Sequence, residues 1–346
     1  MKQLNVGLIG AGYWGKKYLR IIKEHSSVNL SFIADTDSSL RSAIGNHTGV
    51  KFYNNFFEAL SEAECDAVIV TTPANTHKQV VLECIRNGKN VLVEKPFTLN
   101  LKDAEGLLLR SRSTGITLFP GHIYSYNGGI KKAAEIVQSG SIGPIRYIDC
   151  VRNGLGPIRD DVNVIWDLIP HDLTILNIVG LSHPEKVSCI ASSFLRRDIY
   201  DLATCALRYG SNRVAHIQAS WLHPSKVRQI TIVGQDKMII FDDTNQDAPL
   251  KVYDKKVDLV TTDNYGQFKS QIRAGDVIMP FVSGEEPLLL MFNAFVDFCH
   301  GKREQELKVE QARALETVRV LEALEASARQ EGRFINLDWP ESALGE

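Results

Sequence analysis

Over the first 120 residues, short apolar runs alternate with segments of helical period, and no other feature restricts the fold as much. Leu4–Ile9, Val28–Ala34, Ala67–Val70, Val91–Val93 and Ile116–Phe119 read as strands without a polar face. After the first of them, Trp14, Tyr18, Ile21 and Ile22 recur at helical spacing. His77 to Asn87 carries the same period and stops at Gly88, a residue that tolerates the positive φ of a helix C-terminus. Asn100 reads as the cap of a further helix, because its side chain can accept from a free N–H of the first turn. Apolar strands separated by helices predict a parallel sheet covered on both faces.

The texture changes after about Gly121. Ile145–Val151, Val187–Phe194, Ala203–Tyr209, Val214–Trp221, Val227–Val233 and Met238–Phe241 are β-rich runs divided by Gly, Pro and Asn turns. Helical patterns are confined to Lys131–Gln138, a stretch near Pro170–Val179, Pro287–His300 and Glu310–Gln330. Consecutive strands without crossover helices favour an antiparallel sheet. A chain of 346 residues exceeds one typical core. The expected architecture is an α/β domain over 1–121, followed by an α+β domain over 122–346 built on a large, mostly antiparallel sheet.

Composition narrows the class of function. A net charge of −2 gives no basic surface for nucleic acid or anionic lipid, so neither is expected as a partner. No apolar run reaches the roughly 18 residues needed to span a bilayer, and Met1 to Ile9 lacks the layout of a signal peptide. Cys65, Cys84, Cys150, Cys189, Cys205 and Cys299 show no C-x-x-C spacing and sit mostly in apolar stretches, which fits a reduced, cytoplasmic setting. His183, His216 and His223 share no ligand spacing, so no metal site is expected.

Gly10-Ala11-Gly12-Tyr13-Trp14-Gly15 matches G-x-G-x-x-G. The pattern alone is weak, but here it follows the first strand and opens the first helix, as in the doubly wound Rossmann fold. Gly10 would allow the tight turn, Gly12 the approach of a pyrophosphate, and Gly15 the packing of helix on strand. The helix N-terminus then offers free N–H groups and a positive dipole end. Asp35, 20 residues past Gly15, stands where a carboxylate accepts from the adenosine ribose and repels a 2′-phosphate. NAD is the expected cofactor. The plain alternative for Asp35 is a turn residue before Asp37-Ser38-Ser39.

At Val93-Glu94-Lys95-Pro96 the chain resembles the glucose–fructose oxidoreductase / inositol dehydrogenase (Gfo/Idh/MocA) family. Thr71-Thr72-Pro73-Ala74-Asn75-Thr76-His77 is similar to that family's loop beside the cofactor. Trp166-Asp167-Leu168-Ile169-Pro170-His171-Asp172 resembles its second-domain motif. The resemblance implies that Lys95 is the active-site lysine, with Glu94 beside it and a cis bond at Lys95–Pro96. It implies that Asp167 and His171 form the substrate-side pair. Tyr13, Trp14, Thr72, Pro73, Asn75, His77, Glu94 and Lys95 join Gly10, Gly12, Gly15 and Asp35 as candidate cofactor-side residues. The family's glycines around the Asp are replaced here by Trp166, Leu168 and Pro170, which alters the pocket wall. Members acting on nucleotide-linked sugars, such as UDP-N-acetylglucosamine 3-dehydrogenases, look most similar around Asn153-Gly154 and Trp166 to Asp172. Relatives of this kind are often homodimers or homotetramers.

The residues also suit alcohol oxidation on their own chemistry. A hydride leaves usefully only as the hydroxyl loses its proton. His171, with an imidazole that titrates at about 6.5 when unperturbed, suits the base. Lys95, on a turn at the C-terminal end of a parallel strand, would stabilise developing alkoxide charge. Asp167 would orient His171 or receive a second hydroxyl. A cleft between the domains would bring Lys95 and His171 to one hydroxyl.

Each residue has a plain alternative. From spacing alone Lys95 reads as a surface lysine at a Lys-Pro turn, which the resemblance reverses, and His171 reads also as a core histidine. Asp167 reads as a helix cap with Pro170 in the first turn. Tyr124 and Tyr126 read as packing residues. Arg152 and Arg159 read either as ligands of a phosphorylated substrate or as surface arginines. The reaction expected is hydride transfer between NAD and a secondary hydroxyl of a sugar or nucleotide sugar, C3 of UDP-N-acetylglucosamine being one case. The alternatives are a dehydrogenase of a free sugar or a polyol such as inositol, a non-redox enzyme that recycles bound NAD, and a ligand sensor without catalysis.

Overall fold

The computed structural model describes residues 3–41, 44, 49–261 and 268–340. The chain divides into two compact units, Met1–Ile123 with Leu288–Glu322, and Tyr124–Pro287 with Ala323–Glu346. The first unit thus takes up residues 288–322 from the far part of the chain.

The first unit holds a six-stranded parallel sheet in the order β3-β2-β1-β4-β5-β6. Its strands are β1 (Leu4–Ile9), β2 (Val28–Ala34), β3 (Lys51–Tyr53), β4 (Ala67–Val70), β5 (Asn90–Glu94) and β6 (Leu118–Gly121). The doubly wound fold expected from the alternation is therefore present. The three-residue β3 is the addition: it sits at the edge and is too short to show a period. Helix α1 (Tyr13–Glu24) buries Tyr18, Ile21 and Ile22 of the stripe read from the sequence, with Gly15 beside them, while Trp14 is only half-buried. Helices α2 (Phe56–Glu62), α3 (His77–Arg86) and α4 (Leu101–Thr114) complete the N-terminal part of this unit. Asn100 does cap α4, its side chain accepting from the Asp103 N–H at 2.8 Å. Fully buried residues such as Phe32 and Ile33 each contribute roughly 1.5–3 kcal/mol by leaving water. The returning helices pack on β6. Phe119 meets Phe298 edge-on at 5.0 Å, and the Gln311 side chain donates to the Leu118 carbonyl at 2.8 Å.

The second unit is built on a nine-stranded mixed sheet whose pairs are antiparallel except where β10 (Arg213–Ser220) runs parallel to β7 (Ile145–Leu155). The β-rich runs read from the sequence all lie in it. Two further strands, β13 (Leu250–Thr261) and β14 (Phe268–Ile278), extend one edge. Burial alternates along β9 (Leu202–Tyr209) and β10, so one face is covered. Thr204, Arg208, His216 and Gln218 are exposed on the other. Helix α5 (Gly128–Gln138) is capped by Asn127, and α6 (Val164–Ile178) by Asn163. Helices α7 (Pro287–Cys299) and α8 (Glu304–Ala328) follow β14 in the chain. No helix among the described residues is long and apolar enough to cross a membrane.

Candidate functional site

In the first unit the strand order reverses between β1 and β4, and the chain loops that leave these two strands touch there. The Thr71 N–H donates to the Ile9 carbonyl at 2.9 Å, and the Thr71 hydroxyl to the Gly10 carbonyl at 2.6 Å. Gly10 has a φ of +94°, and a Cβ there would lie 2.8 Å from the Thr71 carbonyl carbon. A Cβ on Gly15 would strike the Gly10 carbonyl oxygen. Gly12 differs from both, because a Cβ there would have nothing within 4 Å. Gly12 opens α1 without a side-chain cap, and the first turn has no acidic residue. The N-terminal N–H groups and open space above Gly12 thus form a cradle suited to a pyrophosphate. The residues present fit the NAD expected from the sequence.

Asp35 reaches this loop from the end of β2. One of its oxygens accepts from the Ala11 N–H at 2.6 Å and the other from the Asp37 N–H at 2.9 Å. The carboxylate therefore makes the turn contact of the plain reading while bracing the glycine loop. Tyr13 is 73% exposed and Trp14 half-buried, with the Lys17 ammonium 4.6 Å and 4.4 Å from their ring centres. Lys17 was not among the expected residues. Its signal was helical spacing from two aromatic residues. Thr72 accepts from the Thr76 hydroxyl at 2.8 Å, while Pro73 and Asn75 are exposed.

Glu94 ends β5 and Lys95 follows it; both are buried, and the Lys95–Pro96 bond is cis. Glu94 points back under α1, where it accepts from the Tyr18 hydroxyl at 2.8 Å. Burial raises the Glu94 carboxyl above the ordinary range against the pull of Tyr18 and Lys95. Burial likewise raises the Tyr18 hydroxyl well above its usual value, and the Glu94 charge adds to it. His77 is buried between carbonyls: one ring nitrogen lies 2.8 Å from the Pro96 oxygen and the other 2.9 Å from the Thr72 oxygen.

The second unit carries Asp167 and His171 on α6. The helix starts earlier than the sequence suggested, since the Asn163 side chain accepts from the Ile165 and Trp166 N–H groups. Asp167 is therefore not the cap, and Pro170 lies inside the helix. One Asp167 oxygen accepts from the Trp221 indole at 3.1 Å and the other from Arg159 at 3.3 Å. Arg159 also binds both oxygens of Asp161, at 2.8 and 2.6 Å. Burial opposes its charge, yet these carboxylates hold the guanidinium above its usual range.

His171 is half-buried and meets the Tyr124 ring edge-on at 5.2 Å. Behind it lies a network absent from the sequence reading. Arg152, expected as a phosphate ligand or a surface residue, is buried and grips Asp172 through Nε and Nη2 at 2.8–3.1 Å. Its remaining Nη1 donates to the Tyr124 hydroxyl at 2.9 Å, which donates to Asp243 at 2.8 Å. Burial raises Asp172 while Arg152 pulls it back. Burial opposes the Arg152 charge, but Asp172 outweighs it and raises Arg152. Tyr124 and Tyr126 are both buried, in line with a packing role.

The comparisons with known proteins cover both units. The Gfo/Idh/MocA profile described as an oxidoreductase family with an NAD-binding Rossmann fold matches residues 4–122, and the profile of that family's C-terminal domain matches 130–240. An uncharacterized oxidoreductase of Streptococcus pneumoniae is 32% identical over 43% of this chain and 40% of its own length. A 2,7-anhydro-N-acetylneuraminate hydratase of Mediterraneibacter gnavus is 27% identical over 63% of this chain and 62% of its own. A UDP-N-acetylglucosamine 3-dehydrogenase of Acidithiobacillus ferrooxidans is 26% identical over 71% of this chain and 76% of its own. The match thus spans less than two thirds of the length of the first two. Among solved structures, GenD2 from gentamicin A biosynthesis, in complex with NAD, shares the fold with a TM-score of 0.81 at 19% identity. That likeness covers 98% of this chain and 97% of the other.

Proposed function

The chain belongs to the Gfo/Idh/MocA family of NAD-binding oxidoreductases, and we propose that it moves a hydride between NAD and a secondary hydroxyl of a sugar or nucleotide sugar. The observation that carries this reading is the uncapped, open glycine cradle at Gly12, at the same C-terminal end of the parallel strands as the turn bearing Lys95. Bound NAD supplies the hydride acceptor. The remaining work falls to side chains. His171 takes the hydroxyl proton as the C–H hydride departs, and the Lys95 ammonium donates to the oxygen and offsets its developing charge. Asp167, tied to Trp221 and Arg159, steadies the helical turn that presents His171. The reading takes NAD over NADP, because the Asp35 carboxylate beside the glycine loop would repel a 2′-phosphate.

The 3-dehydrogenase relative favours a nucleotide-linked sugar, with C3 as the oxidised carbon. The hydratase relative favours a second reading, in which NAD is reduced and reoxidised within one turnover. Incubating the protein with NAD and nucleotide sugars, free sugars or polyols separates them. Stoichiometric NADH with an oxidised product is expected, and a product formed without net NADH would support the second reading. Binding of NADP tighter than NAD would overturn the cofactor assignment. We further propose a homo-oligomer formed through the open face of the nine-stranded sheet. Sedimentation showing only a 38.6 kDa species would refute that.

A further inference from the structure

Lys17 starts the second turn of α1, four residues after Tyr13 and three after Trp14. Residues at those spacings share one face of a helix, and helical side chains lean back towards its N-terminus. The Lys17 ammonium accordingly stands 4.6 Å from the centre of the Tyr13 ring and 4.4 Å from that of Trp14. The two rings themselves meet edge-on at 5.9 Å and 86°. Both cation contacts lie inside the roughly 6 Å reach of a cation–π attraction. Tyr13 and Trp14 open α1 directly after Gly12, so the ammonium is drawn to the helix end that carries the cradle. Burial raises the Glu94 carboxyl at the end of β5, and the Lys17 charge is among those that pull it back. The cation therefore lies on the β5 side of the cradle, away from Asp35 on the β2 side.

The way this cation is held suits it to an anion. Among the described residues no carboxylate pairs with Lys17, whereas Arg20 on the same helix pairs with Glu24 at 3.5 Å. A carboxylate partner would cancel the charge, occupy N–H donors and repel an anion placed beside it. Ring faces attract the charge without accepting ordinary hydrogen bonds, so the three N–H donors of the ammonium stay available. Lys16 is exposed and stands outside this cluster. The cradle needs added charge. A helix N-terminus supplies only roughly half an elementary charge, while each phosphate of a pyrophosphate carries a negative one. Asp35, on the ribose side, adds to the negative total.

We propose that Lys17 is a cofactor-binding residue whose ammonium, clamped between Tyr13 and Trp14, donates to the pyrophosphate of NAD at the Gly12 cradle. The backbone N–H groups shape the site, and Lys17 supplies charge that they lack. This deepens the NAD reading above and rests on it.

Calorimetric titration of the full chain with NAD and with ADP-ribose, which keeps the pyrophosphate and lacks the nicotinamide, tests the assignment. Lys17→Met keeps the apolar stem and removes the charge. It should weaken both ligands about tenfold, the scale of one charge-assisted hydrogen bond, and flatten the dependence of affinity on salt. Lys17→Arg keeps a cation that stacks on rings and binds phosphate, and should stay within about threefold of wild type. Lys16→Ala removes an exposed charge nearby and should change affinity less than about twofold. Wild-type affinity for both ligands in Lys17→Met would overturn the proposal. A loss confined to NAD would also overturn it, because Lys17 would then act at the nicotinamide rather than the pyrophosphate. Equal losses in Lys17→Arg and Lys17→Met would show that shape and not charge is felt, and equal losses in Lys16→Ala would reduce the effect to a general field. Either result would refute the assignment while leaving the NAD reading intact. A wild-type protein that binds neither ligand would overturn both.

Discussion

The two units hold their candidate residues by different means. In the first, the glycine loop is shaped by backbone contacts among short neighbouring segments: Gly10 against Thr71, Gly15 against Gly10, and Asp35 on the Ala11 N–H. In the second, His171 stands against a chain of side chains, Tyr124, Arg152, Asp172 and Asp243, that comes from four separate stretches of sequence. Backbone-built sites tolerate changes in side-chain chemistry and fail on added volume. Network-built sites fail when one charge is removed, because its partner remains buried without compensation.

The largest expected effect lies in turnover and tests whether the two halves serve one reaction. Lys95→Ala and His171→Asn should each lower kcat/KM by about 100- to 10,000-fold, the usual range for a positioned acid–base group. NAD affinity should change little in His171→Asn. If both residues serve the same oxygen and proton, the double variant should lose far less than the product of the single losses. Steady-state rates on the substrate found by the product screen decide this. Near-wild-type rates in either single variant would remove that residue from the mechanism.

The next effect belongs to the second unit alone. Asp172→Ala leaves the Arg152 guanidinium buried without its bidentate partner, which should cost about 3–5 kcal/mol in urea unfolding. Replacing both residues, as Arg152→Met with Asp172→Leu, should cost less than the single change, because no unpaired charge remains. A double variant as unstable as Asp172→Ala would mean that packing, not charge, dominates there.

The same contrast explains what the sequence made legible. The glycine loop, Asp35, the Asn100 cap and the Glu94-Lys95-Pro96 turn are contiguous patterns whose geometry follows from neighbouring residues. Tyr18 and Glu94 lie 76 positions apart, and Trp221 and Asp167 lie 54 apart, so no window holds both partners. Arg152 looked like a surface arginine because its compensating Asp172 stands 20 residues away. The Asn163 cap was missed because Pro170 drew the helix start towards itself. Strand β13 carries Lys251, Asp254, Lys255 and Lys256, and such charge near a sheet edge dilutes the apolar alternation that marks a strand.

A smaller effect sharpens the view of the first unit as backbone-built. Gly15→Ala forces a methyl onto the Gly10 carbonyl oxygen and should cost about 1–3 kcal/mol of stability, together with NAD binding. Gly12→Ala meets open space, so its stability cost should stay below about 1 kcal/mol, while NAD affinity falls about tenfold or more. Calorimetric titration with NAD, paired with thermal melts, separates the two. Equal destabilisation by both substitutions would contradict the open cradle.

The smallest expected effect is a pH dependence at Glu94, a candidate of the first unit that is held by a side-chain partner, and so a place where the contrast could break. Burial raises the Glu94 carboxyl above its ordinary range, against the opposing pull of Tyr18 and Lys95. In the unfolded chain the same carboxyl releases its proton near the ordinary value of about 4.3. Below that pH both states are protonated, and the stability associated with the group is fully present. As pH rises towards the raised folded value, the unfolded state has released its proton and the folded state has not, so stability is lost across that window. Tyr18 is also raised, but its loss begins only above the ordinary tyrosine range, well clear of this window. Glu94→Gln removes the titration and keeps an oxygen that can accept from Tyr18. The wild-type advantage over this variant should therefore shrink as pH rises above the ordinary value of about 4.3. Paired melts across that range measure it. A wild-type advantage that grows with pH would mean that Tyr18 and Lys95 outweigh burial and hold Glu94 as a carboxylate.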